Sequence, residues 1–208
     1  MAFIFPKLYP ILDSAILPAT NRAAYLARLG ASLTDAGVSL LEYRNKSGSD
    51  AEILADCATL RAAMPAGRVR LILDDRADLV ATAGFDGVHV DSGDITPAEA
   101  RALLGPHRIL GTFGGSDALL PGILNATADY LAIGPVFPTT TKPPIGIEGV
   151  RKLRAEAGPS VVLSAAAGIT FDTAPVVLAA GASIVAVSAA LFRAADPAAE
   201  ARRWLAQL

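Results

Sequence analysis

The five residues Glu42-Tyr43-Arg44-Asn45-Lys46 close an apolar run and carry an unusual density of charge for a strand end. A strand's period of two puts Glu42, Arg44 and Lys46 on one side and Tyr43 and Asn45 on the other, so an acid and two cations share a face. Arginine offers planar, bidentate contact with phosphate oxygens and lysine a mobile point charge, so the pair would serve as an anion clamp. Taken alone, a salt-bridged strand end explains the same pattern. A later run ends Asp74-Asp75, and Asp94 follows the next one in the stretch DSGD. Carboxylates from neighbouring strand ends suit Mg2+, which keeps several waters and takes one or two protein oxygens beside substrate phosphates. Either Asp75 or Asp94 would equally cap the helix that follows it.

A second set of polar residues falls further along. The run beginning at Tyr130 leads into a proline-fenced loop, Gly134-Pro135-Val136-Phe137-Pro138-Thr139-Thr140-Thr141-Lys142-Pro143-Pro144. Three hydroxyls and a lysine there would cradle a phosphate, unless the loop is merely an exposed connection stiffened by its prolines. Gly168 follows the seventh run and Val187-Ser188 end the eighth. Glycine lets backbone approach a ligand closely, and these are the positions where barrels commonly hold phosphate, although an ordinary tight turn fits equally. His89 reads as a packed or hydrogen-bonded residue and His107 as a loop residue. With no Ser-His-Asp order, His metal cluster or GxSxG elbow, nothing points to a hydrolytic nucleophile. The lone Cys57 excludes a disulfide framework and a cysteine metal site.

The elements that must position these residues are eight apolar runs of strand length. They begin at Lys7, Val38, Val69, Gly87, Arg108, Tyr130, Ser160 and Ser183, with amphipathic segments such as NRAAYLARLGASLTDAG and DAEILADCATLRAAM between them. Strand alternating with helix implies a parallel sheet. Eight similar units within 208 residues, with no Gly-rich dinucleotide loop after the first, favour closure into a (β/α)8 TIM barrel occupying the whole chain, 1–208, as one domain. Thr96-Pro97-Ala98-Glu99 reads as a helix start. Hydrophobic residues make up 52% and charged residues 18%, which excludes a disordered chain and fits strands buried on both faces. A net charge of −2 offers no basic field for nucleic acid, and no apolar run is long enough to span a membrane. Without a basic region or cleavage site at the N-terminus, the expected location is the cytoplasm.

In their order, LYPILD, YRNK, LDDRADL, GVHV with Asp94, GPVFPTTTKPP, the Gly168-Ile169 turn and AVSAAL resemble the thiamine phosphate synthase family over nearly the whole chain. The most specific piece is GPVFPTTTKP. The resemblance implies a transferase that joins hydroxymethylpyrimidine diphosphate to a thiazole phosphate, releasing pyrophosphate, with Mg2+ and with a homodimer as the family-level assembly. It implies that Arg44, Lys46 and Lys142 grip the diphosphate, that Asp75 and Asp94 hold Mg2+, and that Thr139, Thr140, Thr141, Gly168, Val187 and Ser188 hold the thiazole phosphate. Glu42 and Asp74 stand on the pyrimidine diphosphate side, where the family usually has Gln and Asn. Phe113 stands where it usually has Ser or Thr, and Ala167 where Gly is usual. The departures at Glu42, Asp74 and Phe113 predict an altered pyrimidine side beside a retained thiazole side. The alternative they raise is a diverged member that binds thiazole phosphate, tautomerase-like or non-catalytic, with pyrimidine diphosphate use changed or lost.

Overall fold

The computed structural model describes residues 3–139 and 143–208. Eight parallel strands, β1 (Leu8–Asp13), β2 (Leu40–Arg44), β3 (Arg70–Asp74), β4 (Gly87–Val90), β5 (Ile109–Gly115), β6 (Tyr130–Ile133), β7 (Leu163–Ala166) and β8 (Ile184–Val187), pair in sequence order, and β8 closes on β1. Each expected run holds one strand. The helices are α1 (Arg22–Asp35), α2 (Asp50–Ala63), α3 (Val80–Ala83), α4 (Pro97–Leu104), α5 (Gly146–Ala157), α6 (Ala174–Ala179), α7 (Ala189–Phe192) and α8 (Pro197–Gln207). Between β5 and β6 a short 3-10 turn, Ile123–Asn125, takes the place of a full helix.

Local chemistry explains the boundaries. Ser49 and Glu52 form a capping box that opens α2, and Thr96 with Glu99 forms another that opens α4, with Pro97 in its first turn. Each box satisfies backbone N–H groups that a helix start leaves without partners. The strands are short and rich in Val, Ile and Leu because both of their faces are covered.

Alternation along each strand splits the core in two. Leu12, Leu41, Leu73, Val88 and Leu110 face outward into a continuous layer beneath the helices. Tyr9, Leu40, Ile72, Ile109, Tyr130 and Ile184 face inward and fill the barrel, with Phe3 and Phe5 packed against them. The inward rows become polar toward the C-terminal ends of the strands, where Glu42, Asp74, His89 and Ser164 are buried. That change of polarity sets the floor of the site.

Candidate active site

A cavity of about 850 Å³ opens at the C-terminal ends of the strands, within the size range of small-molecule sites. Glu42, Arg44 and Asp74 line one side of it, and Thr139, Gly168 and Ser188 the other. Thr140, Thr141 and Lys142 lie outside the described residues.

The first side is built from the ends of β1 to β4. Neighbours in the barrel pair with their ends level, Asp13 opposite Arg44 and Asp74 opposite His89, so side chains distant in sequence meet. Arg44 pairs with Asp13 and lies 3.4 Å from Asp74 Oδ2. Lys46 pairs with Asp75, reaches Asp74 Oδ2 at 3.2 Å and stands 3.9 Å from Asp91. Burial, then the nearby Glu42 and Asp75 carboxyls, push the Asp74 carboxyl up to about 7. Asp75 is pushed up by burial and by Asp94, against the pull of Lys46.

Asp74 Oδ2 and Asp75 Oδ1 are buried with no hydrogen-bond partner, although Lys46 and Arg44 stand near the former. Ligand atoms of Asp74, Asp75 and Asp91 lie within 4.8 Å of one another. Asp94 is exposed; its Oδ2 accepts the Asp91 backbone N–H at 2.7 Å. Converging hard oxygens with open lone pairs suit a divalent cation such as Mg2+. The group of converging acids thus contains Asp75, read from the sequence as a metal ligand, together with Asp74 and Asp91, and does not include Asp94. The signal for Asp91, a carboxylate one residue past the end of β4, was available in the DSGD stretch.

The floor is a chain of hydrogen bonds that sequence reasoning missed. Tyr9 donates to Glu42 Oε2 at 2.7 Å, its hydroxyl lies 2.9 Å from that of Tyr130, and the Tyr130 hydroxyl lies 3.1 Å from His89 Nδ1. His89 Nε2 is 3.5 Å from Asp91. Burial pushes the Glu42 carboxyl up, opposed by His89 and by the Tyr9 hydrogen bond. Burial would lower the His89 pKa, but Asp91, Glu42 and Asp74 outweigh it and hold the imidazole above its ordinary value. His89 is therefore buried and hydrogen-bonded, as expected, and also part of the cavity wall. Inward-facing tyrosines on β1 and β6 are predictable from strand period; that their hydroxyls meet across the barrel is not.

On the second side, Gly168 adopts a left-handed φ of +70°, and a Cβ there would lie 2.7 Å from Phe137 Cβ. Only glycine fits where the loop after β7 presses on the loop after β6. Ala167 also has a positive φ, 71°, without the freedom of the glycine usual there. Val187 and Ser188 line the cavity as expected, and Arg193, not anticipated, joins them at the rim.

Phe113 lines the cavity, whereas Thr112 is buried away from it. The pairing of Val90 with Thr112 and of Phe113 with Ala132 fixes this register, so a slip that would bring Thr112 to the mouth does not occur.

These features define a closed (β/α)8 barrel in which cations, carboxylates and a close-approach glycine converge on one cavity. A family model described as thiamine monophosphate synthase matches residues 8–191. The thiamine-phosphate synthase of Koribacter versatilis (strain Ellin345) is 40% identical over 204 residues, covering 96% of this chain and 94% of that protein. That of Agrobacterium fabrum (strain C58 / ATCC 33970) is 40% identical over 167 residues, with 77% and 76% covered. Among solved structures, the thiamine phosphate pyrophosphorylase from Pyrococcus furiosus superposes with a TM-score of 0.78 at 27% identity, over 97% of this chain and 94% of that one. The chain belongs to the thiamine monophosphate synthase family. Nothing in the comparisons favours the diverged, thiazole-only alternative.

Proposed function

We propose that the chain joins hydroxymethylpyrimidine diphosphate to a thiazole phosphate, forming thiamine phosphate and releasing pyrophosphate. The observation that supports this reading is the lining of one cavity by Arg44 and Asp74, with Lys46 close behind Asp74, on one side and by Gly168, Ser188 and Thr139 on the other, which we assign to two unlike anionic ligands. A substrate with a diphosphate and one with a single phosphate would then meet between them.

In this reading departure of pyrophosphate leaves a resonance-stabilised pyrimidine cation, and the thiazole nitrogen captures it. The transformation needs no protein nucleophile, and the site supports it by orienting two partners and neutralising a leaving group. Arg44, Lys46 and Lys142 are assigned to the diphosphate. Thr139, Thr140, Thr141, Gly168, Val187 and Ser188 are assigned to the thiazole phosphate. Asp75 and Asp94, with Asp74 and Asp91, would hold Mg2+, which when bound supplies positive charge against the diphosphate oxygens. Of the two acids in place of amides, Glu42 is pushed toward the protonated form by burial, which reduces the repulsion it would exert on that ligand, and Asp74, pushed up likewise, would be ionised when Mg2+ binds.

The test is a mixing assay with the pyrimidine diphosphate, thiazole phosphate and Mg2+, following both products. Thiamine phosphate and pyrophosphate should accumulate in equal amounts, and Asp75→Ala should abolish both. Absence of both under conditions in which a control synthase works would refute the proposal.

A further inference from the structure

Lys46 stands two residues past the last residue of β2, yet its ammonium reaches Asp75 and Asp74, the second of which lines the cavity. What fixes the loop that carries it lies on the opposite side of the barrel wall. Tyr43, fully buried and facing outward, donates its hydroxyl proton to Asp56 of α2. The same oxygen accepts from Arg22 Nη2 and from Asn45 Nδ2, each at 3.2 Å. Arg22 of α1 grips Asp56 with its Nε 2.8 Å and Nη2 2.6 Å from Oδ2. Asn45 Oδ1 in turn accepts the Gly48 N–H at 2.8 Å and the Ser47 N–H at 3.3 Å. Gly48 lies so close over this amide that a Cβ would stand 2.4 Å from Asn45 Nδ2. The capping box at Ser49 then fastens the far end of the loop to α2.

The array joins α1 and α2 to the two residues that alternate with Arg44 and Lys46. Within β2, Tyr43 faces the helices while Arg44 lines the cavity; past the strand end Asn45 bonds the Tyr43 hydroxyl and Lys46 reaches Asp74, so each cation has a hydrogen-bonded residue of the array beside it in the chain. The Tyr43 hydroxyl is the junction, since its one donor and both of its acceptor directions are used within the array. A flexible lysine gains precision only if its base is held, and Asn45, its immediate neighbour, is the held residue.

We propose that Tyr43, Asn45 and Asp56 are positioning residues that set where the Lys46 ammonium stands, acting from outside the barrel on the diphosphate side of the cavity. The proposal rests on the reading of Lys46 as a diphosphate contact given above. Magnesium pyrophosphate is the probe, titrated by calorimetry into the full chain, alongside KM for each substrate. Tyr43→Phe removes the junction but keeps the ring. Asn45→Ala, at a half-buried loop position, leaves Tyr43, Arg22 and Asp56 joined and so spares the fold.

Each variant should weaken pyrophosphate binding by about fivefold to tenfold, the usual loss on removing a hydrogen bond that orients a charged contact, and should leave KM for thiazole phosphate unchanged. In a Lys46→Ala background the same substitutions should cost less than about twofold, because residues acting through one side chain are not additive with its removal. Full additivity with Lys46→Ala, or wild-type pyrophosphate affinity in both array variants, would overturn the proposal. If Lys46→Ala alone left pyrophosphate affinity unchanged, the diphosphate role of Lys46 in the proposed function would be what failed, and the array would lose its purpose with it.

Discussion

Asp74→Asn exchanges a buried carboxyl for a neutral amide of nearly the same shape. Asp74 is only 5% exposed, and burial with Glu42 and Asp75 beside it moves its pKa from about 3.8 to about 7. A carboxyl that binds its proton more tightly when folded than when unfolded lowers stability as pH rises between those two values. The shift is roughly three units, equivalent to about 4 kcal/mol between pH 4 and pH 8. That shift is already net of the attraction of Lys46. With the amide standing in for the protonated carboxyl, Asp74→Asn should stabilise the metal-free protein by about 4 kcal/mol at pH 8.5, a rise in Tm of roughly 8–16 °C for a chain of this size. At pH 5, where the native carboxyl is mostly protonated and only the unfolded one largely ionised, the gap should shrink to about 1.6 kcal/mol, roughly 3–6 °C. Thermal melts of both across pH 5 to 8.5, in the presence of a chelator, measure this directly. A Tm difference that is constant with pH, or one that grows as pH falls, would refute the account of Asp74 as a carboxyl held toward its protonated form.

Added Mg2+ should raise the Tm of the wild type, since a ligand bound by the native state alone stabilises it by mass action, and Asp75→Asn or Asp91→Asn should shrink the rise; an undiminished rise in Asp91→Asn would remove that residue from the metal cluster. Ala167→Gly should stabilise the fold by about 0.5–1 kcal/mol, read from urea unfolding, because the alanine sits at a φ of 71°. Phe113→Ser should lower KM for the pyrimidine diphosphate by about fivefold by placing a hydroxyl on the cavity wall, with KM for thiazole phosphate unchanged. Gly168→Ala should do the reverse, raising KM for thiazole phosphate at least tenfold on the order expected for a displaced phosphate contact, because its Cβ has no room against Phe137.

The barrel was legible in the chain because its signals are local. Runs of Val, Ile and Leu at strand length, separated by caps such as Thr96 with Glu99, carry the alternation of strand and helix, and a chain with eight such units closes. The same period put Glu42, Arg44 and Lys46 on one face, and of these Glu42 and Arg44 line the cavity, since facing along a strand follows from residue parity while Lys46 lies past the strand end. The missing helix between β5 and β6 was less readable, because GGSDALLPGILNATAD holds apolar residues without a helical stripe.

What only the tertiary structure decided is how residues on different strands meet. Glu42, Tyr9, Tyr130 and His89 belong to β2, β1, β6 and β4, and nothing in four separated segments indicates that their polar atoms lie within hydrogen-bond reach. Asp91 likewise joins Asp74 and Asp75 because β3 and β4 are neighbours in register. Protonation follows the same rule. A sequence lists Glu42 and Asp74 as two negative charges, but the cost of removing water from both, at one end of a closed barrel, is set by three-dimensional packing, and it turns them toward neutral groups.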